Sequence, residues 1–299
     1  FCVFLFGLGG GVLNGATNAL AADVSEGERG AKLALLGAFF GIGALTMPGT
    51  LALLSHHFSL PAIVAGIGAL VLGPVFYFLV IAFPPPKQRV EKFSTARSLA
   101  LLKHPIFLFA GLALAIQSGM EGMSNDWMTR YFKKVTLAQA HFAEWKAQLG
   151  LVAVAGAMML TRLVLSGLLK RVRSQRVLFV SIGLTTTGAV LLKTSGAYWA
   201  SLTAALFLGA GLAAAFPIVL SYLGDLYPQQ SGTAFSLIFC IALLGNMTIN
   251  KSFGALAQLH GVRQYTWVML GCLAFSALLL GLVVTQLRHH STPSEKPKS

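Results

Sequence analysis

The chain has 299 residues, 56% of them hydrophobic and only 10% charged, with a mean hydropathy of +0.74. A water-soluble domain of this size could not bury so much apolar surface, so that class is excluded. The formal net charge of +13 does not mark a nucleic-acid binder, because the basic residues sit in short connectors between apolar runs, where the positive-inside rule collects them.

Apolar stretches of about 20 residues read as transmembrane helices. Nine are predicted, near 1–22, 31–55, 61–83, 105–130, 149–169, 176–193, 197–222, 231–256 and 264–287. The fold class is thus an all-α membrane protein. One set of connectors carries Arg29 and Lys32, the basic residues of 87–103, those of 170–176, and the tail from Arg288. It holds twice the Lys and Arg of the opposite set and is assigned to the cytoplasm together with the C-terminus. Trp127, Trp145, Trp199 and Trp267 then fall near the outer helix ends, as an interfacial aromatic belt requires. Cys2, Cys240 and Cys272 lie within apolar spans without metal-ligand spacing and read as packing residues.

In the first span, Asn14 and Asn18 are one helical turn apart. Asn14 lies about 13 Å from Asp23 at 1.5 Å per residue, near mid-bilayer. Amides in apolar helices need partners; sugar hydroxyls and neighbouring helices both qualify, the latter for about 1 kcal/mol. The fourth span carries Gln117, Glu121 and Asn125 at i, i+4 and i+8, a polar stripe along one helix face. Glu121 is the one acid placed at bilayer depth, where a charge costs roughly 2.5–3.5 kcal/mol and so faces a cavity or a partner. A structural reading, with Glu121 locking two helices through a buried hydrogen bond, stands beside the functional one. Trp127 can stack on a ring-shaped solute or anchor its helix at the interface.

Arg162 lies within snorkelling distance of the cytoplasmic end of its helix and is a gating candidate. Gly209-Ala-Gly-Leu-Ala-Ala214 nominally matches a dinucleotide fingerprint, but it sits inside a membrane helix, so its glycines are assigned to close packing. Phe216-Pro217 marks a bend. Asn246 and Asn250 repeat the paired-amide pattern, and Asn246 is a candidate for the cavity. The sequence offers no Ser-His-Asp set, carboxylate pair or metal cluster, so neither an enzyme nor a cofactor or metal is expected.

An internal repeat organises these spans. Slid by about two hundred residues, Leu8–Pro48 lies over Leu208–Asn250, pairing Asp23 with Asp225, Gly30 with Gly232 and Gly43 with Gly245. Transporters are often built from such repeats. Spans one to three match spans seven to nine, whereas four to six have no copy, so their partners are expected before Phe1. The chain then reads as the last nine of twelve helices. Residues 1–83 would be the remainder of an N-terminal bundle and 84–104 a basic cytoplasmic linker. Residues 105–288 would form a complete six-helix bundle, with 289–299 as the tail.

Two six-helix halves joined by a basic linker resemble the major facilitator superfamily along nearly the whole chain. Within it the sequence is most similar to the bacterial fucose-permease-like branch, through Gly9-Gly-Gly-Val-Leu-Asn14-Gly-Ala-Thr-Asn18, Phe39-Phe-Gly-Ile-Gly-Ala-Leu-Thr-Met-Pro48, Gln117-Ser-Gly-Met-Glu121-Gly and Gly224-Asp-Leu-Tyr-Pro228. The resemblance implies nine of twelve helices of a major facilitator fold in two pseudo-symmetric bundles. It also implies secondary transport of a small polar solute, a sugar, by alternating access with proton coupling. Two departures stand out: Asn14 replaces a glutamate that such permeases use for coupling, and Gly167-Leu-Leu-Lys170-Arg171 has Lys where the loop signature expects an acid. Asn14, Asn18, Gln117, Glu121, Asn125, Trp127 and Asn246 are the expected solute contacts, with Glu121 the proton carrier. The expected setting is a monomer in the inner membrane of a bacterium, with lipid, solute and protons as partners and no nucleic acid. Two alternatives remain: an exporter of amphipathic compounds on the same fold, and a non-transporting receptor or assembly factor.

Overall fold

A computed structural model describes residues 2–25, 27–54, 57–83, 100–136, 144–228 and 230–291. It contains α1 (Cys2–Asp23), α2 (Arg29–Leu54), α3 (Leu60–Val80), α4 (Pro105–Tyr131), α5 (Glu144–Leu168), α6 (Ser174–Thr194), α7 (Tyr198–Leu212), α8 (Ala215–Leu226), α9 (Ser231–His260) and α10 (Tyr265–Ser291). No strand occurs among the described residues. Most of the expected linker, residues 84–99, lies outside the described residues, as does the tail beyond Ser291.

Eight spans among the described residues are long and apolar enough to cross a membrane, α7 and α8 together counting as one. The ninth helix, α1, is 22 residues long and covers the first expected span. The seventh expected span is broken between Leu212 and Ala215. Pro217 supplies a reason, since it has no N–H for the carbonyl of Ala213 four residues earlier. The bend expected at Phe216-Pro217 is therefore an interruption one turn upstream. Pro105 opens α4, and Gly261, at φ +82°, ends α9 in a conformation that side chains disfavour.

Helix α4 forms the centre of the larger bundle, packed on α5, α9 and α10. Its buried residues include Phe107, Leu114, Met120, Met123 and Met128. Helix α7 sits between α5 and α6, where glycines let backbones meet. A Cβ on Gly209 would stand 2.1 Å from the Val154 carbonyl oxygen, and one on Gly188 would stand 2.7 Å from the backbone nitrogen of Leu208. The glycines of Gly209–Ala214 thus serve helix packing.

The first three helices meet this bundle through α2, which lies on α5 and α8, and through α1, which lies on α9. Their remaining surface is largely bare: Ile63 is the one buried residue of α3, and Phe6, Phe40, Leu79 and Val80 are exposed. Of the four tryptophans, Trp145, Trp199 and Trp267 are exposed, as an interfacial belt requires. Lys193 stacks its ammonium over the Trp267 ring at 3.3 Å.

Gly209→Ala is expected to lower the thermal unfolding midpoint of the detergent-purified protein, by overpacking worth about 1–3 kcal/mol. Gly183→Ala, whose added Cβ meets nothing within 4 Å, should leave the midpoint within experimental scatter.

Candidate functional site

Six helices line a cavity of about 230 Å³. Asn14 and Asn18 come from α1; Leu36, Gly37 and Phe40 from α2; Ser118 and Glu121 from α4; Arg162 from α5. Phe216, Pro217 and Leu220 come from α8, and Phe239, Ala242 and Leu243 from α9. Gly37 and Phe239 each stand eight residues into their helix, about 12 Å from its start, near the middle of a hydrocarbon layer about 30 Å thick.

Asn14 pairs with Phe216, Asn18 with Leu220, Gly37 with Phe239 and Phe40 with Ala242 in the register that pairs Asp23 with Asp225. The repeat therefore contributes equivalent positions to the lining, but with different chemistry. The α1 lining is amide-rich: Asn18 Nδ2 donates to Asn14 Oδ1 at 3.0 Å and to the Asn14 carbonyl at 2.9 Å. The α8 and α9 lining is apolar, and the rings of Phe216 and Phe239 stack there 6.0 Å apart.

An ion pair between α4 and α5 also lines the cavity. Arg162 directs Nη2 at both Glu121 oxygens, each 3.4 Å away. Its Nη1 points at the Gly37 carbonyl and its Nε at the Ala213 carbonyl, both at 3.5 Å. Both side chains are mostly buried, with 10% and 18% exposed. Gly37 makes room for this approach, since a Cβ there would lie 3.1 Å from Arg162 Cδ. Arg162 therefore does not snorkel to the helix end; it spans from the first three helices to the larger bundle.

The other sequence candidates sit elsewhere. Gln117 is buried behind the cavity, donating Nε2 to Glu121 Oε1 at 3.1 Å and to the Leu212 carbonyl at 2.8 Å. Asn125 is exposed and outside the cavity wall. Trp127 packs edge-on to Phe253 at 5.0 Å, and Arg130 lies 4.9 Å above its ring. Asn246 lies in the seam between α9 and α4: a Cβ on Gly122 would approach its Oδ1 within 2.1 Å, and Asn250 donates to that same oxygen. Ser118, Gly37, Phe40 and Phe239 were not singled out as site residues. For Gly37 and Phe239 the signal lies in the repeat register, which makes them equivalent positions.

At the end of the bundle where α1 gives way to α2, the first three helices and the larger bundle clasp one another. Arg29 donates to Asp225, and Ser231 donates to Asp23 at 2.8 Å. These contacts are reciprocal, because Asp23 matches Asp225 and Arg29 matches Ser231 in the repeat. Each acid meets the first residue of a helix, where its charge also faces the positive helix end. Lys170 adds a contact to Glu28 at 2.8 Å. Its ammonium holds the Glu28 carboxyl below the usual range, so this contact is present near neutral pH and is lost as pH falls through that depressed value.

Comparison with known proteins agrees with this architecture. The profile of the Major Facilitator Superfamily matches residues 1–247. An uncharacterised major-facilitator-type transporter of Bacillus subtilis, YfkL, is 25% identical over 275 residues, covering 87% of this chain and 67% of that protein. A crystal structure of the E. coli fucose:proton symporter FucP superposes with a TM-score of 0.74 at 17% identity, covering 91% of this chain and 73% of the symporter. A second FucP structure, described as outward, superposes with a TM-score of 0.71 at 16% identity and covers 90% and 72%.

Arg162→Leu leaves Glu121 without its cation in a mostly buried setting. It should destabilise the purified protein by about 3 kcal/mol. Replacing Glu121 by Leu as well should recover most of that loss, as measured by a double-mutant cycle in thermal unfolding.

Proposed function

The chain belongs to the Major Facilitator Superfamily, and from that premise we propose that it forms the last nine of twelve helices of a secondary transporter for a small hydroxyl-bearing solute of the sugar or polyol class. The observation that carries this reading is the mixed lining of the cavity: amides from α1 and an ion pair from α4 and α5, together with stacked phenylalanines from α8 and α9. A sugar has both characters, hydroxyls at its rim and C–H bonds above its ring, and each kind of lining suits one of them. FucP, whose fold this chain resembles, is a fucose:proton symporter.

In this reading residues 1–83 belong to the N-terminal half and 105–288 make the C-terminal half. The bare faces of α1 and α3 are where the preceding helices pack. The Asp23–Asp225 end is cytoplasmic, on the strength of its basic connectors. Its reciprocal clasp closes that end, so the cavity faces the opposite side of the membrane in this state. Rocking the halves would break the clasp and admit the cytoplasm. Glu121, held by Arg162 and Gln117 at the cavity wall, would carry the coupling proton.

The aromatic wall of Phe40, Phe216 and Phe239 favours one second reading, an exporter of amphipathic compounds on the same fold. Flux separates the readings. The intact protein in proteoliposomes, with an imposed pH gradient, is offered L-fucose, hexoses and polyols, and in parallel lipophilic cations. Accumulation of a sugar or polyol is the expected result. Expulsion of the cations alone would favour the exporter, and no flux of either would point to a receptor or assembly role. Glu121→Gln should keep sugar exchange but abolish pH-driven accumulation; unaltered uphill uptake would overturn the coupling role. Asn14→Ala should raise the KM for the transported sugar about tenfold, the loss of roughly one hydrogen bond.

A further inference from the structure

The break between α7 and α8 frees backbone carbonyls inside a membrane protein, where they need partners. Three side chains from three different helices reach them. Ser181 donates its Oγ to the Gly211 carbonyl, Gln117 donates to Leu212 at 2.8 Å, and Arg162 directs Nε at Ala213 from 3.5 Å. The Ala213 carbonyl has no α-helical donor, because the residue four positions on is Pro217.

Two of these three side chains also hold Glu121. Gln117 Nε2 carries two N–H groups, and they point at Glu121 and Leu212. Arg162 divides its guanidinium between Glu121, the Ala213 carbonyl and the Gly37 carbonyl. The contacts of Gln117 have ordinary lengths, whereas those of Arg162 are 3.4–3.5 Å, longer than the roughly 2.7–2.9 Å of a committed charge-assisted bond. Gln117 is the firm link and Arg162 the divided one. Both serve the same two customers, a carboxylate and a break.

The break departs little from helical geometry. Ala213 has φ −67° and ψ −31°, and Ala214 has φ −92° and ψ −29°, so the backbone passes through it with near-helical angles. Modest rotation at two alanines would re-aim α8. That helix carries Phe216, Pro217 and Leu220 into the cavity.

We infer that Gln117 and Arg162 are positioning residues that couple the charge on Glu121 to the set of the α7–α8 break, so that losing the charge moves the cavity wall carried by α8. This rests on the reading of Glu121 as the proton-carrying group of a transporter. When Glu121 is neutral, Arg162 loses its counter-charge and its donors redistribute toward the Gly37 and Ala213 carbonyls. Gln117 keeps Leu212 but loses a charged acceptor, and the break takes up a new angle.

The test uses the intact protein in proteoliposomes with Cys2, Cys240 and Cys272 replaced by serine. A single reporter cysteine is placed by Phe216→Cys on α8 or by Leu36→Cys on α2, and its rate of labelling by a water-soluble maleimide is measured. Glu121→Gln supplies the neutral state. It is expected to change labelling at position 216 by about fivefold or more, the range of ordinary coupling between sites. Gln117→Leu and Pro217→Ala should each cut that response to within about twofold, the scatter of independent sites.

Pro217→Ala matters because it returns an N–H to the Ala213 carbonyl and displaces Arg162 without touching Glu121, so the test stands even where Gln117→Leu folds poorly. A purely structural role for these residues would lower stability but leave the Glu121→Gln response intact. If Glu121→Gln alters neither reporter, the reading of Glu121 as a coupling group falls and this inference with it. If position 36 responds while the response at 216 survives both Gln117→Leu and Pro217→Ala, the transporter reading stands and the inference is overturned.

Discussion

A guanidinium in the middle of a membrane protein must be answered from several directions at once, and much of the organisation here follows from how Arg162 is answered. Glu121 meets it from α4, the Gly37 carbonyl from α2, and the Ala213 carbonyl from the break after α7. Each answer needs a permissive residue elsewhere. Gly37 must lack a side chain for the arginine to pass, and Pro217 must lack an N–H for Ala213 to need an outside donor. One side chain thus bonds the first three helices to the larger bundle at the level of the cavity. The clasp of Arg29 with Asp225 and of Ser231 with Asp23 does the same at the helix ends.

Pseudo-symmetry and its violation divide the work between these two contact zones. At the ends the repeat is preserved: two equivalent acids meet two equivalent helix starts. Around the cavity the repeat preserves position but not chemistry, since Asn14 and Asn18 match Phe216 and Leu220. Positions kept in register tie the first three helices to the larger bundle. Positions that differ give the cavity a mixed lining, amides from α1 and aromatic rings from α8 and α9.

Much of this was legible in the sequence. Span positions followed from apolar length, and the repeat followed from glycines and acids in fixed order. Glu121 was found because a lone acid at bilayer depth is expensive. The rest of its stripe was less legible, for a geometric reason. At 3.6 residues per turn, positions four apart drift by about 40° around the helix, so Asn125 is turned about 80° from Gln117. Gln117 therefore faces the interior and the break, Glu121 faces the cavity, and Asn125 is exposed. Asn246 was illegible for another reason. Its place in the seam depends on Gly122 of a different helix, and one strand of sequence does not reveal which helices will be neighbours. Trp127 likewise answers to Phe253 and Arg130, partners distant in the chain or across a helix turn.

The ion pair itself bears on why such a site persists. A buried salt bridge is weak evidence for stability, because desolvating two charges offsets most of their attraction, and an apolar pair of similar volume often serves as well. Packing alone would therefore favour leucines at 121 and 162. It would also favour close contacts where charges are kept, yet Arg162 stands 3.4 Å from both Glu121 oxygens and divides its donors among three acceptors. A pair selected to lock helices together should commit. One that exchanges partners, as proposed above for Arg162, should sit near several acceptors and be tight to none, and Arg162 lies 3.4–3.5 Å from Glu121 and the Gly37 and Ala213 carbonyls.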